Sequence, residues 1–188
     1  MMNFKTYFLF FAFFTSILFG QNKSERNTQG FYLMLDTQAG LNAVDVFRKK
    51  ESNAPSASTE KSIFSYGFSS SVGYHFFNFL ALNAGLKYNY VTENYHPVYW
   101  FVEPRFFVSS NTVGEPTVLS VYLGNKINRT TVDSAILYGI SLTKLNTTDN
   151  GLNSYYGLFL ENNQLNYKNN WFVGIKLGVT LFTNKDFN

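Results

Sequence analysis

Cysteine is absent from the 188-residue sequence. Disulfides, thiolate metal sites, cysteine nucleophiles and a lipid anchor on a cysteine are therefore excluded for these residues. Charge is also scarce, because charged residues make up 14% of the chain, whereas the surface of a soluble protein needs more. The net charge of +3 is too small, and its residues too scattered, for a nucleic-acid-binding surface.

Long apolar runs are missing beyond the first 20 residues of the chain. There, Lys5 precedes the almost unbroken apolar run Tyr7–Phe19, which is shorter than the roughly 20 residues that a spanning helix needs. This pattern predicts a secretory signal peptide over residues 1–20, with an uncleaved anchor helix as the alternative. Residues 21–30 are then a polar lead-in. If the rest of the chain spans a membrane, it must do so with strands.

Aromatic residues are abundant, at 19% of the chain, and they alternate with small or polar residues. Apolar residues reach 45%, yet the mean hydropathy is only −0.11, so the two kinds are mixed. The strongest example is Ile63–Tyr90, a predicted hairpin that turns at Phe77–Phe79. Alternation with a period of two indicates strands with two unlike faces, here one bulky and one small and polar. A soluble sheet buries its bulky face in a core, whereas a membrane barrel turns it towards lipid.

The same alternation recurs from Phe31 to Phe182 and predicts eight strands of roughly ten residues. The longest polar segment, Asp45–Ser62, is predicted to be a loop, as are Asn146–Ser154 and Asn162–Asn169. An even number of strands of about 9–11 residues is typical of outer-membrane barrels. We therefore predict an all-β fold, an eight-stranded antiparallel up-and-down transmembrane β-barrel over residues 31–182. Residues 183–188 form a polar tail.

Glycines and charges indicate which face points inward. The strand glycines all share the parity of the polar residues, as a narrow barrel requires: Gly40, Gly67, Gly73, Gly85, Gly124, Gly139, Gly157, Gly174 and Gly178. The mid-strand charges share it too, and they form a predicted lumen network of three acids and three bases: Asp36, Lys87, Glu103, Arg105, Glu161 and Lys176. On lipid, an Arg or Lys at the membrane midplane would cost about 2–4 kcal/mol.

Two of these charges, Glu103 and Arg105, lie two residues apart on one strand. Each is expected to pair with a charge across the lumen, either as a structural salt bridge or as a gate or selectivity element. Pro104 between them lacks an N–H group, which predicts a local bulge. The lumen is expected to be polar and closed, because eight strands leave no open pore.

Outward aromatic residues fall at two heights and predict two membrane-interface girdles. One rim holds Phe64, Tyr66, Tyr88, Tyr90, Trp100, Tyr138 and Trp171, and the other holds Phe31, Tyr74, Phe76, Phe106 and Tyr156. With both termini in the periplasm, the first rim is extracellular. Arg48, Lys49 and Lys50 then lie in the first external loop, where they either contact lipopolysaccharide phosphates or are solvated.

Three segments, Gly73–Leu82, Phe101–Arg105 and Gly174–Val179, resemble small outer-membrane β-barrel proteins of the Bacteroidetes type. The overall plan is similar to the OmpA transmembrane domain and to OmpX. The resemblance implies a location in the cell outer membrane, with outer-membrane lipid and lipopolysaccharide as surroundings. It also implies insertion by the barrel-assembly machinery, which often recognises a terminal aromatic residue. Here Phe182 is followed by six more residues.

The function expected from these features is structural or interaction-mediating, with no catalysis, cofactor, metal or nucleic acid, and with no extracellular partner identified. One alternative is a lipid A-modifying barrel enzyme, in which His96 would act with Glu93 and a serine near the outer rim. The chain's second histidine, His75, points inward at the opposite rim. Another alternative is a soluble lipocalin-like carrier, which would need a bulky apolar interior.

Overall fold

The structure is a computed structural model that describes residues 30–43, 64–77, 79–91, 95–108, 116–129, 136–146, 152–165 and 168–182. The predicted signal peptide, most of the predicted lead-in, the polar tail and the basic residues 48–50 lie outside these ranges. Within them, no helix is long and apolar enough to cross a membrane.

Eight antiparallel strands close into a barrel in sequence order, with β1 pairing both β2 and β8. Their bounds are β1 Gly30–Asn42, β2 Phe64–Phe77, β3 Leu80–Val91, β4 Val98–Phe107, β5 Thr117–Lys126, β6 Ile136–Asn146, β7 Leu152–Leu165 and β8 Lys168–Phe182. The predicted eight-stranded up-and-down barrel is confirmed. We call the end at which β1 ends and β2 begins the upper rim, and the opposite end the lower rim.

The two faces of each strand differ in the way that the alternation predicts. Along β1, buried and exposed residues alternate without a break, from the buried Tyr32 (1% exposed) beside the exposed Phe31 (60%). The same parity holds on β2, where Ser65 and His75 are buried while Phe64 and Phe76 are exposed. The bulky apolar face is therefore the outer wall of the barrel, and the glycines and charges line its interior.

The hairpin of β7 and β8 is longer than predicted. The expected loop Asn162–Asn169 is wrong, because the ladder continues past Asn163↔Asn170 to Gln164↔Asn169 and Leu165↔Lys168. From Asn162 to Gln164 the residues of both parities are polar. The alternation of apolar and polar residues that marks a strand is therefore absent there. Backbone pairing does not depend on that alternation. The hairpin consequently extends β7 and β8 at the upper rim.

Pro104 interrupts a ladder without shifting it. Across the fully described strands β4 and β5, Val102 pairs with Leu123 and Arg105 with Ser120, which is the same register on either side of the proline. The predicted bulge at Pro104 is therefore wrong. A missing N–H removes a ladder hydrogen bond but adds no residue, so the register can be kept.

The inward side chains are not all small as the sequence predicts, because aromatic rings also fill the lumen. Three tyrosines each lie opposite a glycine on the neighbouring strand: Tyr32 opposite Gly73, Tyr122 opposite Gly139 and Tyr155 opposite Gly178. A Cβ on Gly139 would lie 2.7 Å from Tyr122 Cζ and 2.6 Å from the Leu160 carbonyl oxygen. The glycines thus leave the space that the rings occupy.

We predict that Gly139→Ala lowers the free energy of unfolding by about 1–3 kcal/mol, the usual effect of overpacking. The backbone of Leu160 cannot give way, and Tyr122 would have to move. Urea unfolding of the detergent-folded protein, followed by gel mobility, measures the change. Ala84→Val, on the exposed outer wall of β3, is the matched control, with an expected change within about 0.5 kcal/mol. Equal effects of the two variants would contradict this packing.

Candidate functional site

The lumen is filled in three layers of side chains. An apolar cluster lies towards the upper rim: Val91, Tyr99, Phe101, Tyr122, Leu137, Phe159 and Phe172, with Tyr95 packed against it. Another lies towards the lower rim: Tyr32, Met34, Ala81, Val118, Leu145 and Tyr155, with Phe107 against it. Between them lie the buried charges that the sequence places inside. This charged layer is the candidate site, because isolated buried charges are costly and rarely incidental.

Glu161 on β7 is the centre of the charged layer and is fully buried. Its carboxylate accepts hydrogen bonds from side chains on β1, β3, β5 and β7 itself: Gln38 Nε2 (3.1 and 3.2 Å), Lys87 Nζ, Asn89 Nδ2 (2.9 Å), Tyr122 OH (2.9 Å) and Asn163 Nδ2 (2.9 Å). Lys87 Nζ also donates to Gln38 Oε1 at 2.9 Å. Five donors around one carboxylate replace the water that it has lost.

Lys176 on β8 forms the second part of the layer. Its Nζ lies 3.6 Å from Asp36 Oδ2 and 3.5 Å from Glu103 Oε1, so one ammonium bridges acids on β1 and β4. Each acid has a neutral donor as well: Tyr155 OH donates to Asp36 at 3.0 Å, and Asn83 Nδ2 donates to Glu103 at 3.3 Å. Glu103 thus meets a charge across the lumen.

Arg105 differs from its expected role. No carboxylate oxygen of the described residues lies within 4 Å of its guanidinium, so the predicted cross-lumen ion pair is not formed there. Instead, Nη1 donates to Met34 Sδ at 3.2 Å. The guanidinium carbon also lies 5.5 Å from the Tyr155 ring centre and 5.9 Å from that of Phe107. The Tyr32 hydroxyl is also a hydrogen-bond partner of Arg105. The positive charge of Arg105 is therefore held by polarisable sulfur, a hydroxyl and aromatic faces.

The aromatic ring of Tyr122 lies close to both lysines of the layer. Lys87 Nζ lies 4.8 Å from the Tyr122 ring centre, and Lys176 Nζ lies 5.7 Å from the same centre. The electron-rich ring stabilises a cation on its face. Tyr122 therefore contributes a hydroxyl to Glu161 and a ring to both lysines.

The outward aromatic residues lie in groups on the outer wall. Near the upper rim, Tyr66 stacks on Tyr90 at 4.8 Å, and Tyr138 meets Trp171 edge to face at 5.5 Å. Near the lower rim, Tyr74 lies between Phe31 and Phe76, each at 4.9 Å. Tyr88 and Trp100 also face outward near the upper rim, and Trp100 is 43% exposed.

The two histidines lie at opposite rims of the barrel. His96 Nδ1 and Tyr88 OH share a hydrogen bond of 2.6 Å, while Asn128 Nδ2 donates to the His96 carbonyl oxygen at 2.7 Å. Glu93 lies outside the described residues. His75 is buried with its ring 4.6 Å from that of Phe107. Within the described ranges, no group of three or more potential ligand residues could hold a metal ion.

Sequence reasoning placed the charges but missed their neutral partners. Gln38, Asn83, Asn89 and Asn163 are each buried and each hydrogen-bonded to a lumen carboxylate. Gln38, Asn83 and Asn89 share the inward parity of their strands, and this property of the sequence could have identified them. Asn163 falls within the predicted loop Asn162–Asn169, where no strand parity is defined.

The barrel is similar in fold to a solved protein at low sequence identity. Neisserial surface protein A (NspA) matches with a TM-score of 0.53 and 13% identity, over 81% of this chain and 96% of that one. The N-terminal β-barrel domain of Pseudomonas aeruginosa OprF matches with a TM-score of 0.48 and 14% identity, over 81% of this chain and 98% of that one. No protein-family model and no curated protein sequence matches the chain.

We predict that Glu161→Gln destabilises the folded barrel by about 3–5 kcal/mol, because it leaves Lys87 as an uncompensated buried cation. The double variant Lys87→Met/Glu161→Gln should lose less than the sum of the single variants, by at least about 1 kcal/mol. Equilibrium unfolding in guanidinium chloride measures the cycle. The pair Arg105→Met and Glu161→Gln is the control cycle and should be close to additive. Additivity of the first cycle would contradict the Lys87–Glu161 contact.

Proposed function

We propose that the chain is an integral outer-membrane β-barrel with a structural or interaction role and a polar lumen closed by its own side chains. One observation carries this proposal: large apolar side chains are exposed on all eight strands, while six charged side chains lie inside. Representative outward residues, one from each strand in order, are Leu33, Phe68, Leu86, Trp100, Leu123, Ile140, Leu158 and Ile175.

The distribution of apolar surface favours lipid over water around this wall. Soluble monomers rarely expose a continuous apolar patch larger than a few hundred Å², whereas here the exposed apolar side chains encircle the barrel. The strands are 10–15 residues long, and about 9–11 suffice for a tilted strand to cross the hydrocarbon layer. A bilayer would cover the apolar outer wall, which would otherwise be exposed to water.

The filled lumen supports a closed barrel and not a carrier. A lipocalin-like carrier needs an apolar cavity for its ligand, whereas here charges and rings occupy the interior. The rings of Tyr99 and Phe172 near the upper rim are fully buried. Any conduction would require these side chains and the charged layer to move together.

The orientation and partners of the barrel are part of the same proposal. Both termini are assigned to the periplasm, so the upper rim faces the cell exterior and the lower rim the periplasm. In this orientation Arg48–Lys50 meets lipopolysaccharide phosphates. The barrel-assembly machinery inserts the chain, which we group with the small barrels of the Bacteroidetes type. The even number of strands, which returns both termini to one side, supports this arrangement.

Membrane insertion is the first test of this function. The protein should need detergent to stay dispersed, should float with lipid vesicles in a density gradient, and should migrate faster on a gel before boiling than after it. Each result follows from a lipid-covered wall around a stable barrel. A mature protein that stays soluble and monomeric without detergent would contradict the proposal.

Catalysis on lipid A is tested separately. We expect purified barrel incubated with lipid A to leave its mass spectrum unchanged, because His96 contacts Tyr88, Tyr90 and Asn128 and no serine of the described residues. Loss of an acyl chain that disappears in the His96→Ala variant would show the enzyme function instead.

A further inference from the structure

Asn162 on β7 faces the outer wall at the upper rim. Its neighbours Glu161 and Asn163 both reach into the lumen, where they share a hydrogen bond. Successive side chains alternate in a strand, so the side chain between them points outward. Its ladder partners are Tyr138 on β6 and Trp171 on β8, which are outward residues of the upper girdle.

The two aromatic partners close over this side chain. Their backbones lie two strand spacings apart, about 9.5 Å, yet their ring centres are only 5.5 Å apart and the rings meet edge to face. Both rings therefore lean across β7 from either side. Asn162 is fully buried as a result, although it belongs to the outer wall.

The covered amide has no hydrogen-bond partner among the described residues, at either Nδ2 or Oδ1. Leaving a buried polar group unpaired costs about 1–3 kcal/mol, and most other outward positions carry apolar side chains that avoid this cost. The amide offers two donors and one acceptor directly beneath a pair of aromatic rings. Such an arrangement is destabilising for the barrel alone and becomes favourable when a polar ligand pairs with the amide.

We propose that Asn162, Tyr138 and Trp171 form a binding site for a hydroxyl-bearing lipid headgroup. The inference rests on the proposed membrane placement, which puts aromatic girdles at the depth of the headgroups. An amide can donate to one hydroxyl and accept from its neighbour, and the rings can pack against the C–H side of a glycerol or sugar. Rotamer changes of Tyr138 and Trp171 would open the aromatic cover.

Adjacent hydroxyls occur in two sources, the glycerol headgroup of phosphatidylglycerol and the sugars of lipopolysaccharide. Phosphatidylethanolamine has a similar phosphate and acyl chains but carries an amine and no hydroxyl in its headgroup. These three lipids therefore separate the proposed chemistry from general attraction to lipid. They also distinguish the phospholipid source from the sugar source.

The chain has two tryptophans, so the variant Trp100→Phe leaves Trp171 as the only one and as a reporter inside the site. Each lipid is titrated into the detergent-folded variant while tryptophan emission is recorded. We expect a saturable change with phosphatidylglycerol, lipopolysaccharide or both, and none with phosphatidylethanolamine. Asn162→Leu in this background should weaken the response on the order of tenfold, since it removes two hydrogen bonds. Asn162→Ala, a smaller change, should do the same.

Asn125→Leu is the matched control, because Asn125 is also an outward asparagine paired with a girdle tryptophan position but is exposed. It should leave the titration unchanged. An equal response to phosphatidylethanolamine, or an Asn162→Leu variant that binds like its parent, would overturn the site. Gel mobility verifies that each variant is folded. A barrel that inserts into vesicles without a Trp171 response refutes this inference alone, whereas failure to insert refutes the proposed function.

Discussion

Burial of charge inside a tube of eight strands is the constraint on which this barrel depends. Glu161 is fully buried and is surrounded by five side-chain donors from four strands. Lys176 on β8 links an acid on β1 with one on β4. Removing one partner would leave an opposite charge unpaired, which is far more costly than replacing both. The layer therefore ties β1, β3, β4, β5, β7 and β8 together through side chains, in addition to the ladders.

The second constraint is the small volume of the lumen, and the inward glycines leave room there for larger side chains. The lumen must hold the charged layer and two clusters of rings, yet an eight-stranded barrel leaves room only for side chains. Tyr122 serves both the packing and the charged layer. Its ring lies against Gly139 and close to two lysines, and its hydroxyl donates to Glu161. Packing and electrostatics are thus carried by the same residue. A change in one is expected to disturb the other.

Most of the fold can be predicted from the sequence, because the alternation of inward and outward residues is visible within each strand. Recognising it does not require knowing which strands pair. The inward position of Lys87 can be predicted from its own strand, whereas its contact with Glu161, 74 residues away, depends on register and barrel shear. Arg105 illustrates the same limit, since its inward direction is correct but its partners are sulfur, the Tyr32 hydroxyl and aromatic rings. Asn162 was missed because a stretch that is polar on both faces has no alternation to reveal a strand.

The apolar outer wall and the charged lumen depend on each other. The charges lie inside the barrel and the large apolar residues lie outside it, and the proposed lipid surroundings would cover those apolar residues. This mutual dependence is the central claim about the molecule. It concerns the surroundings of the wall, which can be measured residue by residue because the sequence contains no cysteine.

The most direct test places single cysteines at Leu33, Val121, Ile140, Leu158 and Ile175, labels each with a nitroxide, and compares its accessibility to oxygen and to a polar nickel reagent in vesicles. The account predicts high accessibility to oxygen and low accessibility to nickel at all five positions, because oxygen concentrates in hydrocarbon. High accessibility to the nickel reagent at these positions would contradict it, since the wall would then face water.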